Sequence, residues 1–370
     1  VRSRRPLPPR LTPRARARRI SIIALLLCLI PITASYVSAM AASANTPLTI
    51  NSIEWLRSNG GAGIASFFER IYYSMNAPST GGPALKRLQL KLHRQVSHDH
   101  PANLPTLIAP PLAGEGVWQP TETWSGRYDP VQVTQFRSDP LYPQMVAGVA
   151  WIDPRRTTIR LYAGNLEPAV TMPDRGPEMV PADLRSRLLA TFNSGFKLSD
   201  SHGGWADNGH TYAPLVNGQA TFVGYTNGTY DVTTWTAGPQ APANVAFARQ
   251  NLVLLVNNGH LNPELSNGAL WGATLGNAIR VWRSGIGITA GGDLVYAAAD
   301  QQTAASLAQI LIHAGAVRAM ELDINDWWTT FNYYAQPNAG APAKLLSSMV
   351  RPADRYLSPD DRDFFAVYLR

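Results

Sequence analysis

Apolar positions recur along this chain with three different periods, and each period predicts a different element. In residues 20–40 the run ISIIALLLCLIPITASYVSAM is nearly unbroken and long enough to cross a bilayer. In residues 48–75 apolar side chains return at near-helical spacing on either side of Asn59-Gly60-Gly61. Ile50, Ile53, Trp55 and Leu56 precede the break, and Ile64, Phe67, Phe68 and Ile71 follow it, which predicts two short amphipathic helices. Beyond Gly116 the runs become short and β-rich. Residues 146–153 and 157–163 read as strands of a hairpin split by Pro154-Arg155-Arg156, and residues 181–189 as a short helix with Asp183 in its first turn. Residues 189–196 form a strand opening into a glycine turn, and 197–208 (KLSDSHGGWADN) a polar loop. Asn217-Gly218 and Asn227-Gly228 separate meander strands, and 250–257 reads as one strand buried on both faces. Residues 280–290 and 293–298 form a hairpin, followed by a helix over 303–314 with a glycine stop at Gly315. The C-terminal segment, 356–369, supplies an edge strand.

The run that follows this helix, AMELDINDWW over residues 319–328, carries the strongest chemical signal. As a strand it places Met320, Leu322 and Ile324 on one face and Glu321, Asp323 and Asn325 on the other. Asp326, Trp327 and Trp328 follow at its end. Crowded carboxylates resist ionising together and call for a cation, a donor or a task. The plainer reading is the solvated face of a half-buried strand.

Charge changes the picture at the N-terminus alone. Of the 32 basic residues, eight arginines lie in residues 1–19, which leaves 24 basic against 25 acidic groups elsewhere. That balance offers no basic surface for nucleic acid. The arginines flank the apolar run and predict a cytoplasmic N-terminus with the large remainder extracytoplasmic, in a single pass through the cell membrane. A retained signal anchor is the preferred form. Ala42-Ser43-Ala44 resembles a cleavage site, which would make the protein secreted. Cys28, the one cysteine, lies inside the apolar run, so the exported part has neither disulfide nor thiolate site; that suits a bacterial envelope. The expected organisation is a basic tail (1–19), a transmembrane anchor (20–40), amphipathic helices and linker (41–110) and a main domain (111–370). The fold class is α+β, with mixed or antiparallel twisted sheets and a few packing helices. His93, His98, Asp99 and His100 match no established zinc spacing.

Three segments in order resemble the phosphodiester glycosidase family. Asn193-Ser194-Gly195-Phe196 stands where that family has an Asn-Gly-Gly-Phe-type turn. Arg283-Ser284-Gly285-Ile286-Gly287 resembles its Arg-Thr-Ala-Ile-Gly strand. Ala314-Gly315-Ala316, followed by Glu321-Leu322-Asp323-Ile324-Asn325, resembles its helix end and its Asn-Leu-Asp-Gly-Gly-Gly-Ser strand. The likeness covers residues 184–334. One feature departs from the pattern: Ile324-Asn325-Asp326-Trp327 replaces the glycine turn, whose backbone amides could approach an anion closely.

The resemblance implies hydrolysis of a sugar from a phosphate-linked glycan or cell-envelope polysaccharide. Arg283 is then the candidate phosphate clamp, against an ion pair with a strand neighbour. Asp323 is the candidate nucleophile or charge stabiliser, with Glu321, or Asp207 or Asp200 from the loop, as acid or base. Asn193 either bonds substrate or caps its turn. Lys197, His202, Asp207, Asn325 and Trp327 are candidate substrate contacts. No cofactor is implied, beyond a divalent cation such as calcium between Glu321, Asp323 and Asn325. The alternative function is a non-catalytic glycan-binding or scaffolding module.

Overall fold

The computed structural model describes residues 12–83, 85–90, 101–121, 129–272, 280–335 and 340–370. His93, His98, Asp99 and His100 lie outside them. The chain divides after Ala62 into two units. In the first, the apolar run is one helix, α1 (Pro13–Ala42), capped by Thr12 with Pro13 at its first position. None of its residues is buried, and it is long and apolar enough to cross a membrane by length and composition. Helix α2 (Leu48–Leu56) meets it through a Tyr36–Ser52 hydroxyl contact of 2.8 Å and a Trp55 indole N–H donated to Ser35 Oγ at 3.0 Å. The expected break follows at Asn59 and Gly60, where Gly60 takes φ +86°, and α3 (Ala62–Met75) continues beyond it.

The second unit is α+β, and its strand pairings among the described residues are antiparallel. An eight-stranded sheet runs in the spatial order Gln119–Pro120, Val131–Arg137, Val146–Ile152, Leu294–Gln302, Val281–Thr289, Ala316–Ile324, Leu254–Asn257, His260–Leu261. A second sheet orders His210–Ala213, Trp205–Asp207, Val245–Gln250, Ala220–Tyr225, Tyr230–Thr234. A third orders Gly340–Lys344, Phe331–Ala335, Leu188–Asn193, Phe364–Leu369, Thr157–Tyr162. All three contribute to one apolar core, in which Phe192, Phe222, Phe247, Tyr296, Phe331 and Phe365 meet.

Two helices belong to this unit beside α3. The short α4 (Leu198–Ser201) follows the glycine turn, and α5 (Ala304–His313) starts at a capping box between Thr303 and Ser306. Helix α5 packs close against the large sheet because of Gly285. A Cβ there would lie 2.8 Å from both Leu311 Cδ1 and the Met320 carbonyl oxygen, so the glycine of the Arg-Ser-Gly strand permits the helix–strand approach.

Three expected elements differ. Residues 146–152 and 157–162 are strands, but they belong to different sheets and are not a hairpin. Asp153 caps the turn between them, accepting from the Arg155 N–H at 2.9 Å, and the chain crosses there from one sheet to the other. Residues 250–257 are not one strand. Val245–Gln250 ends in the second sheet, Leu252 takes φ +53°, and Leu254–Asn257 begins in the first. The C-terminal strand Phe364–Leu369 is central, paired on both sides, and not an edge.

Candidate functional site

The acidic strand Ala316–Ile324 pairs with Val281–Thr289 through an interrupted register. Arg283 pairs with Ile324 and Gly285 with Glu321, so two steps on one strand span three on the other. This bulge breaks the alternation between Glu321 and Asp323. The two carboxylates were expected on one face; instead they leave the strand toward different partners. Glu321 is fully buried and forms an ion pair with Arg283 Nη1. Asp323 Oδ2 accepts from Arg362 Nη2 at 2.7 Å. The strand then ends, and Asn325 takes φ +74°. A left-handed position favours glycine, and asparagine is among the few other residues that tolerate it. Asn325 thus turns the chain just past the strand's end, where the resembling family has glycine. Among the described residues no group of three or more His, Cys, Asp or Glu could hold a metal ion.

Arg283 is engaged on several sides. Its Nε donates to the Gln302 carbonyl and its Nη1 to the Trp271 carbonyl, both at 3.0 Å, besides the Glu321 pair. Burial pushes the Glu321 carboxyl up from its ordinary range, and Arg283 opposes that. Asn193, at the end of its strand, is equally committed. Its Oδ1 accepts from the Thr330 N–H and the Tyr296 hydroxyl, both at 2.9 Å; its Nδ2 donates to Ser284 Oγ at 3.0 Å and to the Ser194 carbonyl at 2.9 Å. Ser284 Oγ passes the link on to the Asp323 carbonyl at 2.7 Å. Asn193 and Asp323 therefore converge through Ser284, with the Asn193 amide holding the frame.

The glycine turn closes against the acidic strand. The Asp323 N–H donates to the Ser194 carbonyl at 2.9 Å, and Asn251 Nδ2 donates to the Glu321 carbonyl at 2.9 Å. A Cβ on Gly195 would lie 2.9 Å from Asn251 Cβ, so this residue too is a glycine for close approach. Two arginines hold the turn from below. Arg249 Nη2 donates to the Phe196 carbonyl at 2.6 Å, and Arg362 Nη2 reaches the Gly195 carbonyl at 3.3 Å.

Exposure separates these pairs. The side chains of Arg362 and Asp323 are 7% and 8% exposed, against 4% and 0% for Arg283 and Glu321 and 1% and 0% for Arg249 and Asp363. Arg362 also lies over the Trp328 ring, 4.7 Å from its centroid. A further carboxyl, Glu167, shares the electrostatic neighbourhood. Burial pushes it up, while Arg362, Arg249 and Lys197 pull it down and Asp363 pushes it up again.

The remaining expected contacts are scattered. Lys197 precedes α4 and belongs to the Glu167 surroundings. His202 is exposed at the α4 C-cap with φ +52°, and Asp200 is exposed beside Ser199. Asp207 lines a cavity of about 830 Å³ with Arg160, Tyr162, Trp205 and His210; neither Asp323 nor Arg362 lines that cavity. Burial pushes Asp207 up to about 7. Trp327 is half-buried under Arg351, whose guanidinium carbon is 4.5 Å from the ring centroid. Arg362, Glu167, Arg249 and Asn251 were not anticipated. Arg362 lies in the run Asp360-Asp361-Arg362-Asp363, which is buried throughout despite its four charges.

The fold and site define an α+β protein whose glycine turn, hairpin, helix and acidic strand converge on buried arginine–carboxylate pairs. Residues 187–323 match the phosphodiester glycosidase family model. Among solved structures, the chain is similar to the zebrafish N-acetylglucosamine-1-phosphodiester alpha-N-acetylglucosaminidase catalytic domain, auto-inhibited by its pro-peptide. The identity is 14%, covering 68% of this chain and 88% of that one, with a TM-score of 0.42. A hypothetical protein from Synechocystis is 12% identical over 66% of this chain and 63% of that one, with a TM-score of 0.37. No curated protein matches the chain.

Proposed function

We propose that the chain is a membrane-anchored hydrolase of the phosphodiester glycosidase family, acting outside the cytoplasm. It cleaves a sugar from a phosphate-linked glycan or cell-envelope polysaccharide. The observation that carries this reading is the Arg362–Asp323 pair, the more exposed of the two pairs on the acidic strand of the family segment. Asp323 stabilises the positive charge developing at the anomeric carbon, or attacks it as nucleophile. Arg362, a rigid fork of donors, places positive charge where a phosphodiester is bound and orients Asp323. Glu167, pushed up by burial, retains its proton more readily than an exposed carboxyl and serves as the acid for the leaving phosphate. Trp328 braces Arg362, and Asn193 and Ser284 fix the strand from which Asp323 projects. The turn at Asn325 replaces glycines, so this member holds its anion through side chains and not through a backbone cradle.

Release of sugar from a panel of sugar-1-phosphodiesters by the full chain in detergent tests this reading. Wild-type turnover is expected, with Arg362→Ala slowed at least about a hundredfold. Saturable glycan binding without turnover would instead establish the binding-module alternative, which the Trp327 and Asn325 substitutions favour.

A further inference from the structure

Helix α3 carries an apolar stripe that the described residues leave uncovered. Ile64, Phe67, Phe68, Ile71, Tyr72 and Met75 follow the spacing i, i+3, i+4, i+7, i+8, i+11, and their exposures run from 43% to 81%. On a helix of 3.6 residues per turn they fall within an arc of about 140°. The opposite side is spoken for. Ala65 is buried, Glu69 and Tyr73 are half-buried, and Tyr73 packs on the cluster of Phe196, Val281 and Ile324. A contiguous exposed stripe of this kind, with three aromatic rings, marks an interaction surface and not a solvated face.

We infer that α3 is an interfacial helix whose stripe lies at the headgroup–acyl boundary of the phospholipid bilayer that α1 crosses. Chain continuity argues for lipid. The last residue of α1 is Ala42 and the first of α3 is Ala62. The stripe is thereby kept, by covalent attachment, within reach of the surface at which α1 emerges. Composition agrees with the same occupant. Phe67 and Phe68 supply an apolar body, Tyr72 an apolar ring with a polar tip suited to headgroup depth, and exposed Arg70 borders the stripe on its polar side. The inference rests on the membrane-anchor part of the proposed function and is independent of whether the site hydrolyses anything. It has a consequence for that site. Tyr73, on the other side of α3, packs on the cluster of Phe196, Val281 and Ile324, so the end of the acidic strand lies about one helix diameter, roughly 10 Å, from the headgroups. Substrates presented at the membrane surface are then within its reach.

Depth-resolved fluorescence quenching tests this in the full chain, reconstituted in phosphatidylethanolamine–phosphatidylglycerol vesicles containing brominated phospholipids. Cys28, native to α1, takes an environment-sensitive thiol label and reports whether α1 crosses. In a Cys28→Ser background, Phe68→Cys and Tyr72→Cys report on the stripe, and Gln240→Cys, in an exposed loop, serves as the control. Bromines near the headgroup are expected to quench labels at 68 and 72 at least about threefold more than at 240. Mid-chain bromines are expected to quench the Cys28 label. Stripe labels quenched no more than position 240, with Cys28 still quenched, would overturn the inference while leaving the anchor intact. Unquenched labels that cross-link between copies through position 68 would overturn it in favour of self-association. Loss of quenching at Cys28 alone would remove the anchor and leave an interfacial helix that binds lipid without it.

Discussion

Glu321 and Asp323 are two residues apart on one strand, each paired to an arginine, yet their surroundings differ. The Glu321 pair faces the Trp271 and Gln302 carbonyls, beneath α5, and its carboxylate is sealed from solvent. The Asp323 pair faces the glycine turn and the C-terminal run, retains some exposure on both partners, and is braced by Trp328. A single bulge creates the difference by breaking the strand's alternation between them. Adjacent like-charged residues in a strand are thus not automatically a catalytic couple. One pair is closed off from solvent, and its neighbour keeps a small exposure on both partners.

The largest effect that could break this comparison comes from the sealed pair. Arg283→Ala leaves Glu321 buried without its partner and is expected to cost about 3–5 kcal/mol, read by urea denaturation. The reverse pattern, an unchanged midpoint with activity lost, would place Arg283 at the substrate. Next, Asp323→Asn is expected to slow sugar release by at least about a hundredfold, equivalent to about 2.7 kcal/mol, with little change in the denaturation midpoint. Asp360 sharpens the distinction by pH. Burial alone would raise it, but Arg355 and Arg351 hold it down to about 2. A carboxyl depressed on folding contributes stability that is fully present above its unfolded value of 3.8 and is lost as pH falls through the folded one. Unfolding measured from pH 4 to pH 2 should therefore lose about 2 kcal/mol in the wild type and clearly less in Asp360→Asn. Asp207 has the opposite sign. Burial raises it to about 7, so ionising it destabilises the fold as pH rises from about 4 to 7. Asp207→Asn should gain stability over that interval and hold it above pH 7, by up to about 2 kcal/mol after allowing for solvent screening.

Local pattern was legible wherever an element is defined by its own residues. The period of 303–314 located α5, the glycines at 60 and 61 located the break before α3, and the order of glycine turn, hairpin, helix and acidic strand marked the family segment. What failed depends on partners distant in the chain. Residues 146–162 look like a hairpin, but pairing with Leu294–Gln302 on one side and Phe364–Leu369 on the other sends the two strands to different sheets. The bulge in the acidic strand arises from its register against Val281–Thr289, which no pattern in 316–324 encodes. Arg362 lies 39 residues beyond Asp323, within the segment expected to be an edge strand. Asn193 was legible as a candidate at its turn, but its hydrogen bonds to Ser284, Tyr296 and Thr330, residues distant in the chain, were not.

The most direct test of the account compares Asp323→Asn with Glu321→Gln, measured as sugar release per folded molecule on the same sugar-1-phosphodiester. Asp323→Asn is expected to lose at least about a hundredfold and Glu321→Gln only a few-fold. Equal losses, or a greater loss for Glu321→Gln, would contradict it.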